Sequence, residues 1–203
     1  MFLLIVVEEK ILSCLTQMIR NFQADRSGCR QLLMGAGKTT AITQLSDDDC
    51  VSTDVVNTDL EQCNKTMTTA GLDYGYISLP DGSGVRLYGT PGQERFRFMW
   101  PILARNAAGV ILLLNGEHPD LEAHLDLYAE AFANNGATPL VIGVGRLSSD
   151  DFSRIDRITE KLAARHLNVP IIAVDVREKE DVLLLVDTLL CQIEANDMEL
   201  MQL

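Results

Sequence analysis

Cations are scarce in this sequence: Lys and Arg total 17 against 29 Asp and Glu, a formal net charge of −12. Such a surface repels a phosphate backbone, so general nucleic-acid binding is not expected. A single nucleotide remains possible, because a few local groups suffice to hold one. Long apolar runs are missing too. Nothing approaches the roughly 18 consecutive apolar residues that cross a bilayer. The opening run Met1 to Val7 is short and is ended by Glu8 and Glu9. It has no cationic lead and no small-residue cleavage site, so neither a transmembrane segment nor a secretory leader is expected. The cysteines (Cys14, Cys29, Cys50, Cys63 and Cys191) are odd in number, scattered, and include no CxxC pair. That speaks against a zinc site and against a disulfide framework, and points to a reducing cytoplasm. His118, His124 and His166 lack metal-ligand spacing and read as ordinary surface or core residues. No GxSxG pattern supports a hydrolase triad.

What is present describes an ordinary globular chain. Its 203 residues are 47% hydrophobic and 23% charged, the size of one domain with extra elements at its edges. Beyond about residue 71, short apolar runs alternate with helical patterns. Gly71 to Leu79 and Val85 to Tyr88 flank Pro80-Asp81-Gly82-Ser83-Gly84, which predicts two strands and a hairpin loop. Gly109 to Leu114, Leu140 to Val144 and Pro170 to Val174 are continuous apolar runs, the pattern of strands buried on both faces. Between them, Leu121, Leu125, Tyr128 and Phe132 have helical spacing behind Asp120, as do Phe152, Ile155, Ile158 and Leu162 behind Ser149-Asp150-Asp151. A last helix is predicted from about Glu178, with Leu183, Val186, Leu190 and Ile193 on one stripe. Strands alternating with helices predict an α/β domain with a mainly parallel sheet. Residues 1–33 read as an N-terminal extension or insertion and 34–203 as the domain proper; within the former, Met1 to Val7 could be a strand, Ile11, Leu15, Met18 and Phe22 have helical spacing, and Ser13 to Leu33 looks like an insertion after a first strand ending near Leu12. In a doubly wound fold a strand runs straight into the phosphate loop, and only Cys29 to Met34 stands at that place.

The most specific local signal is Met34-Gly35-Ala36-Gly37-Lys38-Thr39-Thr40. Glycines let backbone N–H groups converge on phosphate oxygens, and a helix beginning near Lys38 points its positive end at the same charge. Lys38 would reach the β- and γ-phosphates, and the Thr39 hydroxyl would serve Mg²⁺. The glycine that opens this motif is replaced by Leu32. Tyr88-Gly89-Thr90-Pro91-Gly92-Gln93-Glu94-Arg95-Phe96 follows a predicted strand. Its Pro-Gly step suits a turn that offers a backbone N–H to the γ-phosphate, with Gln93 placed to orient water.

Together these segments resemble the Ras-like small GTPases, above all the bacterial branch of gliding-motility and polarity GTPases. That branch is related to Arf-like proteins and to the β subunit of the signal-recognition-particle receptor. Met34 to Ile42, Ser52 to Asp59, Thr66 to Gly75, Leu87 to Ala104 and Ala173 to Val182 carry the likeness. The resemblance implies a three-layer P-loop NTPase fold, a mostly parallel six-stranded sheet with helices on both faces. It implies GTP and GDP as ligands with Mg²⁺, and Gly35, Ala36, Gly37, Lys38, Thr39 and Thr40 as the phosphate loop. Thr69, within Thr68-Thr69-Ala70-Gly71-Leu72-Asp73, matches the switch I threonine that senses the γ-phosphate, so Thr39 and Thr69 are the implied metal ligands. Gly92 and Gln93 match the switch II glycine and the catalytic glutamine. A roadblock-type regulator, or another effector meeting switch II near Phe96, Phe98, Met99 and Trp100, is implied as partner.

The chain departs from the family in three places. Small GTPases commonly carry Asp at Gly89, where its carboxylate supports the Mg²⁺ shell. Their Asn-Lys-x-Asp base motif is replaced by Gly145-Arg146-Leu147-Ser148, and their Ser-Ala-Lys loop by Asp175-Val176-Arg177. Arg146 and the backbone N–H groups of Asp175 and Val176 are the remaining expected contacts on the base side. The resulting expectation is a GTP-binding switch with slow Mg²⁺-dependent hydrolysis. The alternatives are a pseudo-GTPase interaction module and an ATP-binding P-loop protein. Asp47-Asp48-Asp49 reads as a solvated loop at a helix end.

Overall fold

A computed structural model describes residues 2–7, 37–47, 54–56, 67–69, 73–78, 84–90, 107–126, 138–147 and 153–200. The strands are β1 (Phe2–Val7), β2 (Asp54–Val56), β3 (Met67–Thr69), β4 (Asp73–Ser78), β5 (Gly84–Gly89), β6 (Gly109–Asn115), β7 (Leu140–Gly145) and β8 (Ile171–Ala173). The helices are α1 (Lys38–Leu45), α2 (Ser153–Ala163) and α3 (Lys179–Leu200), with a further helical segment over residues 121–126. Six strands form one sheet in the order β4-β5-β1-β6-β7-β8, and β2 pairs with β3 separately.

The apolar runs explain the right-hand part of the sheet. In β6, Val110, Leu112 and Leu114 face one side while Ile111 and Leu113 face the other, and all five are buried. A strand needs covering on both faces to bury both parities, and helices supply it. On one face Ala41, Ile42 and Leu45 of α1 pack with Leu183, Val186, Leu190 and Ile193 of α3, the stripe expected from spacing. On the other face Leu121 and Leu125 pack with Ile158 and Leu162 of α2. The protein is therefore a mixed α/β structure with helices on both sides of its sheet. Tyr128, Phe132 and Phe152 lie outside the described residues.

The strand directions correct the expected mainly parallel sheet. β6-β7 and β7-β8 are parallel, but β4-β5, β1-β5 and β1-β6 are antiparallel. The cause is β1. It occupies the place between β5 and β6, with Leu3 opposite Gly89 on one side and Ile111 on the other, and runs against both. A strand feeding the helix at Lys38 directly would run the other way; Cys29 to Met34, the segment expected to do so, lies outside the described residues. Phe2–Val7, read from the sequence as a possible strand, is one and stands inside the sheet.

At the other edge, α1 is tied to β4. The Ser46 hydroxyl donates to the Tyr76 carbonyl at 3.1 Å and accepts the Tyr76 N–H at 3.0 Å. The Asp47 N–H donates to the same carbonyl at 3.0 Å, and the Asp47 carboxylate accepts the Ser78 N–H at 2.5 Å. These bonds satisfy outward-facing backbone groups of an edge strand, which would otherwise offer themselves to another chain. Asp47, expected as part of a solvated loop, is thus a clamp on β4.

Candidate functional site

The site is built at the N-terminus of α1. Gly37 enters the helix with φ of 84°, in the left-handed region where glycine carries no steric penalty, and its carbonyl accepts the Ala41 N–H at 2.8 Å. Gly37 at the N-cap brings no side-chain cap and no acidic residue stands in the first turn, so Lys38 adds its charge to the positive pole of the helix. Lys38 is 5% exposed. Space over Gly37 is closed by Val176: a Cβ at residue 37 would lie 2.3 Å from Val176 Cγ2. The loop after β8 therefore sits directly on the entrance to α1. Thr40 is half-buried on the same turn.

Thr39 reaches across to the sheet. Its hydroxyl donates to Asp73 Oδ2 at 2.7 Å, and Asp73 is wholly buried at the start of β4. In the β4-β5 register Asp73 lies opposite Gly89. A Cβ at Gly89 would stand 2.8 Å from Ile42 Cδ1, 3.1 Å from Asp73 Cβ and 3.3 Å from Asp73 Oδ2. The position where a carboxylate was expected and is missing thus has the carboxylate of the neighbouring strand beside it. Sequence reading passed over Asp73, although its parity on β4 matches buried Gly75 and Ile77 and so placed it on the covered face.

The base-side segments behave differently. The Asp175 carboxylate is held by Arg177: Oδ1 accepts the Arg177 N–H at 3.0 Å and Nε at 2.7 Å, and Oδ2 accepts from Nε at 2.9 Å and from Nη2. The hydrogen-bonded guanidinium of Arg177 lowers the Asp175 pKa against the opposing effect of burial, and the Arg177 pKa is raised in turn. The Asp175 N–H, expected to read a base oxygen, already donates to Asp181 Oδ2 at 2.7 Å in the first turn of α3. Arg146 is exposed and adopts φ of 56°, while the following Leu147 anchors the loop by packing against Gly116 and the α2 face.

Thr69 ends β3, paired opposite Asp54 in the separate two-stranded sheet. Gly35, Ala36, Gly92 and Gln93, and the aromatic group from Phe96 to Trp100, lie outside the described residues. Of the expected site residues, Gly37, Lys38, Thr39 and Val176 come together, joined by the unexpected Asp73. The His118 and His124 rings lie tilted to one another by 43° with centroids 4.5 Å apart, and the His118 Nδ1 accepts the Asp120 N–H at 3.1 Å. No group of three or more His, Cys, Asp or Glu able to hold a metal occurs among the described residues. Magnesium needs none, since it keeps several waters and takes ligands from phosphates. Among the described residues no helix is long and apolar enough to cross a membrane, and Cys191 is a free, exposed thiol. The chain matches no known family model and no curated protein.

Proposed function

We propose that this chain is a nucleotide-dependent switch of the Ras-like P-loop class, binding GTP or GDP with Mg²⁺ and hydrolysing GTP slowly. The observation that carries the reading is the entrance to α1. A left-handed glycine leads into a helix end whose first residue is a buried lysine, and whose second offers a hydroxyl beside a buried carboxylate. Backbone N–H groups at that end and the Lys38 ammonium are suited to terminal phosphates. The donor set fits a magnesium ion arriving with the nucleotide. Thr39 gives its only hydroxyl proton to Asp73, so its lone pairs remain for a cation. The ion, when bound, neutralises charge on the phosphates.

In this reading the γ-phosphate holds Thr69 and Gly92, ordering both switch segments, and Gln93 orients the attacking water. Intrinsic turnover is slow in this reading. A roadblock-type regulator acts in trans, and an effector meets the aromatic switch II face, in a cytoplasmic setting. A second reading, an interaction module that binds nucleotide weakly, is favoured by the capture of the Asp175 N–H by Asp181 and by Gly145-Arg146-Leu147-Ser148 at the base motif. An ATP-binding P-loop protein is a third reading, compatible with the same phosphate-binding end.

Nucleotide extraction from purified protein, followed by calorimetry with a slowly hydrolysed triphosphate, separates them. Lys38→Ala removes a charge-assisted contact worth about 1.5–3 kcal/mol, so affinity should fall roughly tenfold to a hundredfold. Unchanged affinity in folded Lys38→Ala protein would refute the phosphate assignment, and an adenine nucleotide in the extract would refute GTP.

A further inference from the structure

The two long helices present different residues to solvent. On α2 the exposed positions are Ser153, Asp156, Arg157, Thr159, Glu160 and Ala163, polar or charged in all but the last. On α3, past Glu180, the exposed positions among the described side chains are Leu184, Cys191, Ala195 and Met198. Leu184 is 48% and Met198 59% exposed. Steps of 7, 4 and 3 residues return each of them to one side of the helix, so they form a single stripe about 21 Å long. The opposite side of α3 packs into the core through Leu183, Val186, Leu190 and Ile193. Apolar residues on both sides are the pattern of a helix that is covered on both sides. Exposed apolar side chains are ordinary when scattered, but a continuous row of them marks an interaction site.

We infer that this stripe is a docking surface for an amphipathic helix of another protein, one that sets Lys and Arg beside its own apolar row. Charge decides the occupant. α3 carries Asp or Glu at 180, 181, 187, 194, 197 and 199, and one cation, Lys179, at its start. Residues three and four apart are neighbours on a helix surface, so Asp187 flanks both Leu184 and Cys191, and Glu194 flanks both Cys191 and Met198. A second copy laid on the stripe would bring acid against acid, and a membrane rich in anionic lipid is repelled for the same reason. A helix with basic flanks is attracted at those positions, while its apolar row packs along Leu184, Cys191, Ala195 and Met198. The inference does not depend on nucleotide binding.

The test uses two fluorescent model helices with the same leucine row at heptad positions a and d, one carrying lysine and the other glutamate at e and g. Each is titrated with the full chain and followed by anisotropy. The lysine peptide should bind, losing affinity as salt is raised, and the glutamate peptide should bind at least about tenfold more weakly. Leu184→Ser/Met198→Ser should weaken the lysine peptide about tenfold or more at an unchanged melting temperature, since both side chains are largely exposed. No binding of the lysine peptide, equal binding of the two peptides, or undiminished binding to the double variant overturns the assignment. Should the variant not fold, wild-type protein decides. Saturating lysine peptide should slow alkylation of Cys191, read by mass spectrometry on the fragment that contains it, and an unchanged rate overturns the inference. A wild-type dimer in sedimentation that Leu184→Ser dissolves would put a second copy on the stripe. Flotation with phosphatidylserine vesicles that the same change abolishes would put a membrane there, and either result overturns the basic-helix assignment.

Discussion

Replacing Gly37 with alanine puts two separate demands on the structure. The backbone there sits at φ of 84°, which costs a residue with a Cβ about 1–2 kcal/mol. The new Cβ also falls 2.3 Å from Val176 Cγ2, so the 175–177 loop has to move or Val176 has to leave its rotamer. Overpacking of that kind costs about 1–3 kcal/mol. The sum is about 2–5 kcal/mol, and at about 2–4 °C per kcal/mol for a chain of this size the melting temperature should drop by roughly 4–20 °C. The two parts separate in a double-mutant cycle. Val176→Ala alone trims a half-buried side chain and costs about 1 kcal/mol. It also removes both methyls that crowd residue 37, so Gly37→Ala/Val176→Ala should be more stable than the sum of the single changes by about 1–3 kcal/mol. Thermal and urea unfolding of the four proteins measures this. Strict additivity would show that Val176 does not rest on Gly37. A shift under about 1 °C for Gly37→Ala would remove the left-handed entry to α1 as well.

Ser46→Ala breaks both side-chain bonds to Tyr76, and a backbone group losing its partner costs about 1–3 kcal/mol when buried, less at this edge. Hydrogen exchange at the Tyr76 amide should quicken while the β6 and β7 amides stay protected; equal rates at Tyr76 in both proteins would refute the clamp. Asp175 has a pKa lowered by Arg177, so its pairing stabilises the folded state above the unfolded-state carboxylate pKa of about 3.9 and is lost as pH falls through the lower folded value. Asp175→Asn should therefore melt below wild type at pH 7, by a small amount because the pair is largely exposed, with the gap closing under about pH 4. A gap that persists or widens in acid would contradict the ion pair.

The parts of the fold that reading the sequence recovered are those where burial leaves a one-dimensional trace. β6 and β7 are apolar through their central residues because both faces are covered, and the stripe Leu183, Val186, Leu190 and Ile193 marks the inner side of α3. The direction of β1 left no such trace. Phe2-Leu3-Leu4-Ile5-Val6-Val7 is equally apolar read forward or backward, and direction is set by how the chain returns from it. Asp73 was hidden for another reason. Its role depends on a residue far along the chain, Thr39, and on its register against Gly89, neither of which is a local pattern. The alternation Asp73, Gly75, Ile77 was the available signal, an acid in the buried parity of a strand. Likewise the capture of the Asp175 N–H by Asp181 was invisible, because backbone donors have no residue code.

The place of β1 bears on the order in which this molecule assembles. β4 and β5 are close in sequence and pair antiparallel, Ser78 meeting Gly84, so little loop-closure entropy opposes their pairing. β6, β7 and β8 form a second unit of their own, linked by pairings on one side only. Among the described residues β1 alone hydrogen-bonds the two units within the sheet, and it does so by pairing Leu3 with Gly89 and with Ile111, contacts remote in the chain. Such distant pairings are slow to form and come after local ones. β1 thus precedes both of its backbone partners in the chain by a long stretch of sequence. Until it inserts, β5 and β6 present facing open edges across an empty slot, and the intermediate is the species most prone to capture a strand from another molecule.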